Sequence, residues 1–164
     1  MGISIRRRQL PLATAAWCSV CASAAQPTAA SPPPDDEAAQ TYRALRGARG
    51  HFDGGPWNDD VDRWQGRKHV AMQRLAEQVP RQRPSAEQLR RRMGEPDAVL
   101  KPGQAAHIRA LEQAQWQGGP DGAPAATGKN AVLWLYRWRG KHDQLAFAVE
   151  HDRVVASGWL HQWE

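Results

Sequence analysis

The sequence has 164 residues, which fits one domain once non-globular segments are set aside. Its formal charge is +5, but Arg6, Arg7 and Arg8 precede an apolar stretch at the N-terminus, and the chain without them carries only +2. So small a charge argues against a nucleic-acid-binding protein.

The N-terminal segment has the order of a secretory signal peptide. The three arginines are followed by an apolar stretch from Leu10 to Val20 and then by the small residues Ala22-Ser23-Ala24. A basic end, an apolar core and a small-residue cleavage site predict export of the chain. We therefore interpret residues 1 to about 25 as a signal peptide, with cleavage expected after Ala24, and expect a periplasmic or secreted protein. The adjacent arginines Arg7 and Arg8 leave open whether export follows the general secretory or the twin-arginine route.

The two cysteines of the sequence, Cys18 and Cys21, both lie inside this predicted signal. A cleaved chain would have no disulfide, no thiolate nucleophile and no cysteine metal ligand. A lipid anchor is not expected, because Trp17 and Val20 precede the cysteines where a small residue is required. The apolar stretch is shorter than the roughly 20 residues of a membrane-spanning helix, so we expect no membrane span. No cofactor is expected, and the sequence has no phosphate-cradling glycine loop.

The segment after the predicted signal is rich in Ala, Pro and Ser. Residues 26–40 include a run of three prolines, which favours extended geometry, and we interpret them as a disordered linker. Residues 41–164 then form one domain. Its first part, residues 41–66, is aromatic and irregular, with a turn at Gly54-Gly55-Pro56.

Two helices are predicted next. The first begins near Arg67, carries Met72, Leu75 and Val79 at helical spacing, and is expected to stop at Pro80. The second begins at Ser85, which stands at capping-box spacing from Gln88, and ends at Gly94. Residues 101–130 are predicted to form an insertion loop, with helical content between Ala105 and Trp116.

The C-terminal part predicts three strands. Residues 131–138, 144–150 and 154–159 are short apolar runs with alternating side chains and short connections, which indicates an antiparallel meander. The alternation places Trp134, Tyr136 and Trp138 on one face, and Arg137 and Arg139 on the other. The predicted fold is therefore α+β, with two helices packed on a three-stranded antiparallel sheet.

This order resembles a known family. The run Leu89-Arg90-Arg91-Arg92-Met93-Gly94-Glu95-Pro96-Asp97 followed by Leu133-Trp134-Leu135-Tyr136 is similar to the SmpA/OmlA, or BamE-like, small outer-membrane lipoproteins. The resemblance covers roughly residues 67–164. The same helix-helix-three-strand unit also resembles the repeat of the beta-lactamase inhibitory proteins. Both resemblances imply a protein-binding module of the cell envelope rather than an enzyme.

A cluster of acids and histidines suggests a metal site as one hypothesis. Its members are His51, Asp53, Asp59, Asp60 and His69. A calcium loop counted from Asp60 fails, because Gln65 replaces the required glycine and Ala71 the required glutamate. The simpler interpretation is that Asp59 or Asp60 caps a turn while the tryptophans pack on the domain.

Tryptophan and histidine residues are the better candidates for a binding surface. We single out Trp57, Trp64, Trp159, His161 and Trp163, because tryptophan is enriched at binding hot spots. No catalytic residue is predicted, since no serine lies in a nucleophile motif. The predicted function is an exported, non-catalytic envelope protein that binds a protein partner or has a structural role. The alternative is a small metal-dependent or acid–base hydrolase that uses the five-residue cluster.

Overall fold

The computed structural model describes residues 34–117 and 128–161, and these form an α+β domain as predicted. The described residues contain four α-helices, one short 3-10 helix and five strands, more than the two helices and three strands expected from the sequence. In chain order they are α1 (Pro34–Leu45), a 3-10 helix (His51–Asp53), α2 (Arg67–Gln82), α3 (Ala86–Met93), β1 (Ala98–Leu100), α4 (Ala105–Gln113), β2 (Gln115–Gln117), β3 (Val132–Arg139), β4 (Asp143–Glu150) and β5 (Arg153–His161).

The sheet is antiparallel throughout, in the order β1-β3-β4-β5-β2. Its centre is the predicted meander β3-β4-β5, and each strand begins and ends within two residues of its predicted bounds. The two edge strands were not predicted. Each has only three residues, too few to show the alternation of buried and exposed side chains that marks a strand. Each is defined instead by its pairing with β3 or β5.

In its described part, the segment 101–130 is not the predicted insertion loop, although the helical content expected between Ala105 and Trp116 is confirmed by α4. It contains α4 and β2, and together with β1 these elements connect opposite edges of the sheet. Along the strands, the side chains that pack with α4 alternate with those that pack with the other helices, so α4 covers the second face. Among the described residues, no helix is both long and apolar enough to cross a membrane.

The first helix corrects the predicted linker at 26–40. Helix α1 begins at Pro34 and buries Ala38, Ala39 and Tyr42 against the core. Proline is compatible with the first turn of a helix, where its missing N–H leaves no hydrogen bond unmade. The composition of the segment concealed this, because two alanines contribute little to an apolar pattern. The predicted signal peptide and residues 26–33 lie outside the described residues.

Helix α2 does not stop at Pro80, as the sequence predicted, but continues to Gln82. Proline has no N–H to donate to the carbonyl four residues earlier, that of Ala76. The buried hydroxyl of Ser157, on β5, donates to this carbonyl instead, at 2.7 Å. Ser157 thus replaces the helical hydrogen bond that Pro80 removes.

Helix α3 has the predicted capping box and the predicted end at Gly94. Gln88 N donates to the Ser85 hydroxyl at 3.2 Å, and Ser85 N donates to the Gln88 side chain at 2.8 Å. The last carbonyls of α3 accept hydrogen bonds from two arginines, one in the last turn of α1 and one directly after it. Arg43 donates to Arg91 O at 2.7 Å and Arg46 to Met93 O at 2.9 Å, so two cations stand where the helix dipole is negative.

Candidate functional site

Residues 51–64, between α1 and α2, lie over one end of the sheet and are held there by a buried aspartate. Asp62 is fully buried, and its Oδ2 accepts from the backbone N–H of His51 and of Asn58, each at 2.8 Å. Hydrogen bonds to a carboxylate are among the stronger ones in proteins. One side chain therefore fixes two points of this segment. The neighbouring turn is capped by Asn58, whose side chain accepts from Asp60 N at 3.0 Å, and not by Asp59 or Asp60 as predicted.

Beneath this segment, His69 lies buried among tryptophan rings. Its ring centroid is 4.3 Å from that of Trp64, 4.1 Å from that of Trp138 and 5.5 Å from that of Trp159. Its Nδ1 accepts from Gln65 N at 3.2 Å, so the proton of the neutral ring is on Nε2. Burial, with a smaller effect of Arg139, lowers the pKa of His69 to about 4. His69 is therefore neutral at pH 7.

Arg139 connects the sheet to the segment above it. The register of β3 and β4 shifts between Arg137 and Arg139, and this bulge turns Arg139 toward the helices, opposite to the face that strict alternation predicted. Its guanidinium lies 4.7 Å from the ring centroid of Phe52 and 4.2 Å from that of Trp138. It also donates to Asp62 O at 3.0 Å. The cation thus fixes Phe52 by stacking and Asp62 by a hydrogen bond.

Asp143 extends this network to the last strand. Its two oxygens lie 2.5 Å from Arg139 Nε and 2.8 Å from His161 Nδ1. The His161 ring in turn stacks on Trp159, with a centroid distance of 5.8 Å and an interplanar angle of 5°. The indole N–H of Trp138 donates to Val61 O at 2.8 Å, which ties the segment to the sheet again. These contacts leave few degrees of freedom at this end of the sheet.

Three large aromatic side chains on this fixed segment face solvent. Phe52, Trp57 and Trp64 are 40, 57 and 56% exposed, and we call these three residues the aromatic surface. The Trp57 ring is oriented by a 2.7 Å hydrogen bond from its Nε1 to Asp59. Within the described part of the chain only Val99 and Ile108 are comparable exposed apolar side chains. Exposed apolar surface concentrated in one segment is typical of interaction sites.

The binding residues predicted from the sequence fall into three groups. Trp64, Trp159 and His161 are brought together, since the rings of Trp64 and Trp159 both lie near His69 and His161 stacks on Trp159. Trp159 is however buried in the core, so its predicted place on a binding surface is wrong. Trp57 lies on the same segment as Trp64, and its indole contacts Asp59. Trp163 lies outside the described residues.

The hypothetical metal and acid–base residues do not form one site. His51, Asp53 and Asp59 are exposed, whereas His69 is buried. Asp59 accepts from Trp57 Nε1, and Asp60 pairs with Arg67 at 3.2 Å. Across residues 34–117 and 128–161, no group of three or more His, Cys, Asp or Glu side chains is placed to hold a metal ion.

The sequence did not reveal the residues that organise this region, namely Asp62, Arg139 and Asp143. No local pattern marks a bulge at Trp138, and without that bulge Arg139 faces the wrong side of the sheet. Asp143 directly precedes the strand predicted at 144–150, and its position two residues before Leu145 puts it on the same strand face as Leu145. That spacing was the one available signal.

Comparisons with known proteins identified no relative of this chain. No family model matches the chain, and the searches of curated proteins and of solved structures found no significant match. The functional argument therefore depends on the residues of this chain alone.

Proposed function

We propose that this chain is an exported, non-catalytic envelope protein that binds a protein partner through the aromatic surface. The observation that carries the proposal is the exposure of Phe52, Trp57 and Trp64 on one segment that buried contacts hold in place. Tryptophan and arginine are the residues most enriched at binding hot spots. A segment already fixed in the free protein loses little conformational freedom on binding, which favours affinity.

The surroundings of the aromatic surface support recognition rather than chemistry. The imidazole of His69 is buried between rings, with its Nδ1 engaged by Gln65 N. The guanidinium of Arg139 is likewise engaged by Asp143 and by Asp62 O. In these contacts the polar groups orient aromatic rings, as in a binding surface with a polar border.

The location in the envelope is part of the same proposal and depends on residues 1–25. If the signal peptide is cleaved after Ala24, the first residue of the secreted form is Ala25. N-terminal sequencing of the protein recovered outside the cytoplasm checks this, and an intact Met1 in that fraction would contradict it. The similarity to the SmpA/OmlA group likewise stays a proposal, consistent with the order of α2, α3 and the strands β3 to β5.

Site-directed photo-crosslinking in the producing cells tests the binding surface. The photoreactive residue p-benzoylphenylalanine replaces Trp57, whose ring is 57% exposed. We expect one discrete adduct with a single partner protein, identified by mass spectrometry. The matched control replaces Val99, which is 42% exposed and lies on the edge strand β1.

The two positions together make the outcome decisive. An adduct at position 57 that is absent at position 99 supports the proposal. No adduct at position 57, or the same set of adducts from both positions, would exclude the aromatic surface as the binding site. The enzyme alternative makes a different prediction, since a hydrolase acting on a small substrate gives no discrete protein adduct at either position.

A further inference from the structure

A second surface feature lies on the opposite side of the sheet from α1, α2 and α3. A cavity of about 630 Å³ is formed by α4, by β2 and by Lys129, which precedes β3. Sites for small molecules have volumes of roughly 300–1,000 Å³. The cavity is separate from the aromatic surface, because none of Phe52, Trp57 and Trp64 lines it.

The walls of the cavity are mainly apolar. Ile108 and Leu111 of α4 line it together with Trp116 of β2. The indole N–H of Trp116 donates to Leu111 O at 3.0 Å, so this polar group is already satisfied and the ring is fixed. Trp116 also lies against Gly158, where a Cβ would come within 2.8 Å of the ring. Apolar walls with a fixed aromatic ring favour an aromatic ligand.

One polar atom of a residue that lines the cavity is closed to solvent and, among the described residues, has no protein partner. His107 lines the cavity and is only 1% exposed. Its Nε2 lies 2.7 Å from Ala131 O and must donate to it, which makes Nδ1 an acceptor in the neutral ring. Within the described part of the chain no protein group donates to this Nδ1. A buried acceptor without a donor is unfavourable, so a ligand that supplies a donor gains affinity.

Among the described residues that line the cavity, the charges are balanced. Glu112 and Lys129 both line it and are both exposed, one negative and one positive. Such a pair gives no net preference for an anion or a cation, and the apolar walls disfavour a charged group. The preferred ligand is therefore uncharged.

From these observations we propose that the cavity binds a small uncharged aromatic molecule that carries one hydrogen-bond donor. The ring packs between Ile108, Leu111 and Trp116, and the donor bonds to His107 Nδ1, which requires the groups that cover this atom to move aside on binding. This binding activity is independent of the aromatic surface.

A pair of probes tests both parts of the proposal. 2-Naphthol has an aromatic body and a hydroxyl donor, whereas 2-methoxynaphthalene has the same body without the donor. In calorimetric titration of the purified full chain, we expect 2-naphthol to bind at least tenfold more tightly than 2-methoxynaphthalene. A difference of this size corresponds to the loss of about one hydrogen bond. The indole N–H signal of Trp116, assigned by its loss in Trp116→Phe, should shift on titration.

A matched pair of variants localises the binding. Ile108→Asp puts a charge on the cavity wall and should weaken 2-naphthol binding by roughly tenfold or more. Val99→Asp makes the same change at a residue of similar exposure on β1 and should leave binding unchanged. No heat at millimolar 2-naphthol, or equal affinity in both variants, would overturn the site. Equal affinity for the two probes would overturn the role of His107.

Discussion

The two faces of the sheet are built from side chains of very different size. The face toward α1, α2 and α3 carries the large rings Trp134, Tyr136, Trp138 and Phe147. The face toward α4 has leucines on β3 and at the end of β5, but its centre on β4 and β5 carries the small residues Ala146, Ala148, Ala156 and Gly158.

The difference shows how one meander supports two unlike surfaces. Large rings fill the space under three helices, and at one end of the sheet Trp138 also contacts Trp64 of the aromatic surface. Small residues let Trp116 approach the sheet closely, beside the cavity at α4. We therefore expect the first face to be sensitive to loss of volume and the second to gain of volume.

The largest effect is expected for Trp138→Ala. Trp138 is fully buried, contacts His69, Trp64 and Trp159, and donates its indole N–H to Val61 O. Removing such a ring should lower the free energy of unfolding by about 3–5 kcal/mol, measured by urea denaturation. A loss below about 1 kcal/mol would contradict the view that this ring supports the end of the sheet.

The titration of His69 should give an effect nearly as large. Its pKa is about 4 in the folded chain, below the ordinary value of 6.5, so the unfolded chain binds more protons between these values. The stabilisation is complete above pH 6.5 and is lost as the pH falls through 4, by about 3 kcal/mol. Comparing the pH dependence of unfolding with that of His69→Gln isolates this residue. A pKa near 6.5 in a histidine NMR titration would contradict the buried position.

The other face is tested by adding one carbon atom. In Gly158→Ala the new Cβ would stand 2.8 Å from a ring carbon of Trp116, so the ring must move. We expect a loss of about 1–3 kcal/mol in the free energy of unfolding. The control is Gly47→Ala, where a Cβ meets nothing within 4 Å, and which should not destabilise. Equal effects of the two substitutions would remove the argument for close packing on this face.

A smaller effect is expected at the one hydroxyl that joins β5 to α2. Ser157→Ala leaves Ala76 O without its donor and should cost about 1 kcal/mol. In a Pro80→Ala background the amide of residue 80 can donate to the same carbonyl, so the cost of Ser157→Ala should shrink. A double-mutant cycle measures this coupling. Additive effects would show that the hydroxyl does not replace the missing helical hydrogen bond.

The local signals in the sequence located much of the fold. The alternation in β3 to β5 and the capping box at Ser85 are set by residues close together in the chain, and both were confirmed. The edge strands β1 and β2 could not be predicted, because their residues are extended only through pairing with β3 and β5. Helix α1 was missed because its buried side is made of two alanines and Tyr42.

The candidate site was harder to predict than the fold. The aromatic residues could be singled out by composition, but the groups that position them join distant parts of the chain. Asp62 contacts two backbone amides and Arg139 contacts Asp62. The contact of Arg139 needs a bulge in β3 that no sequence pattern marks. Sequence therefore identified the exposed rings without showing what fixes them.

The most direct test of the proposed function is the affinity of the crosslinked partner for Trp57→Ala. Trp57 is 57% exposed and its indole contacts the exposed side chain of Asp59, so the variant should unfold like the unmodified protein. The account predicts that the Kd for the purified partner rises by roughly tenfold or more while stability is unchanged. A Kd that stays within about twofold of the original, measured by calorimetry on a folded variant, would contradict binding through the aromatic surface.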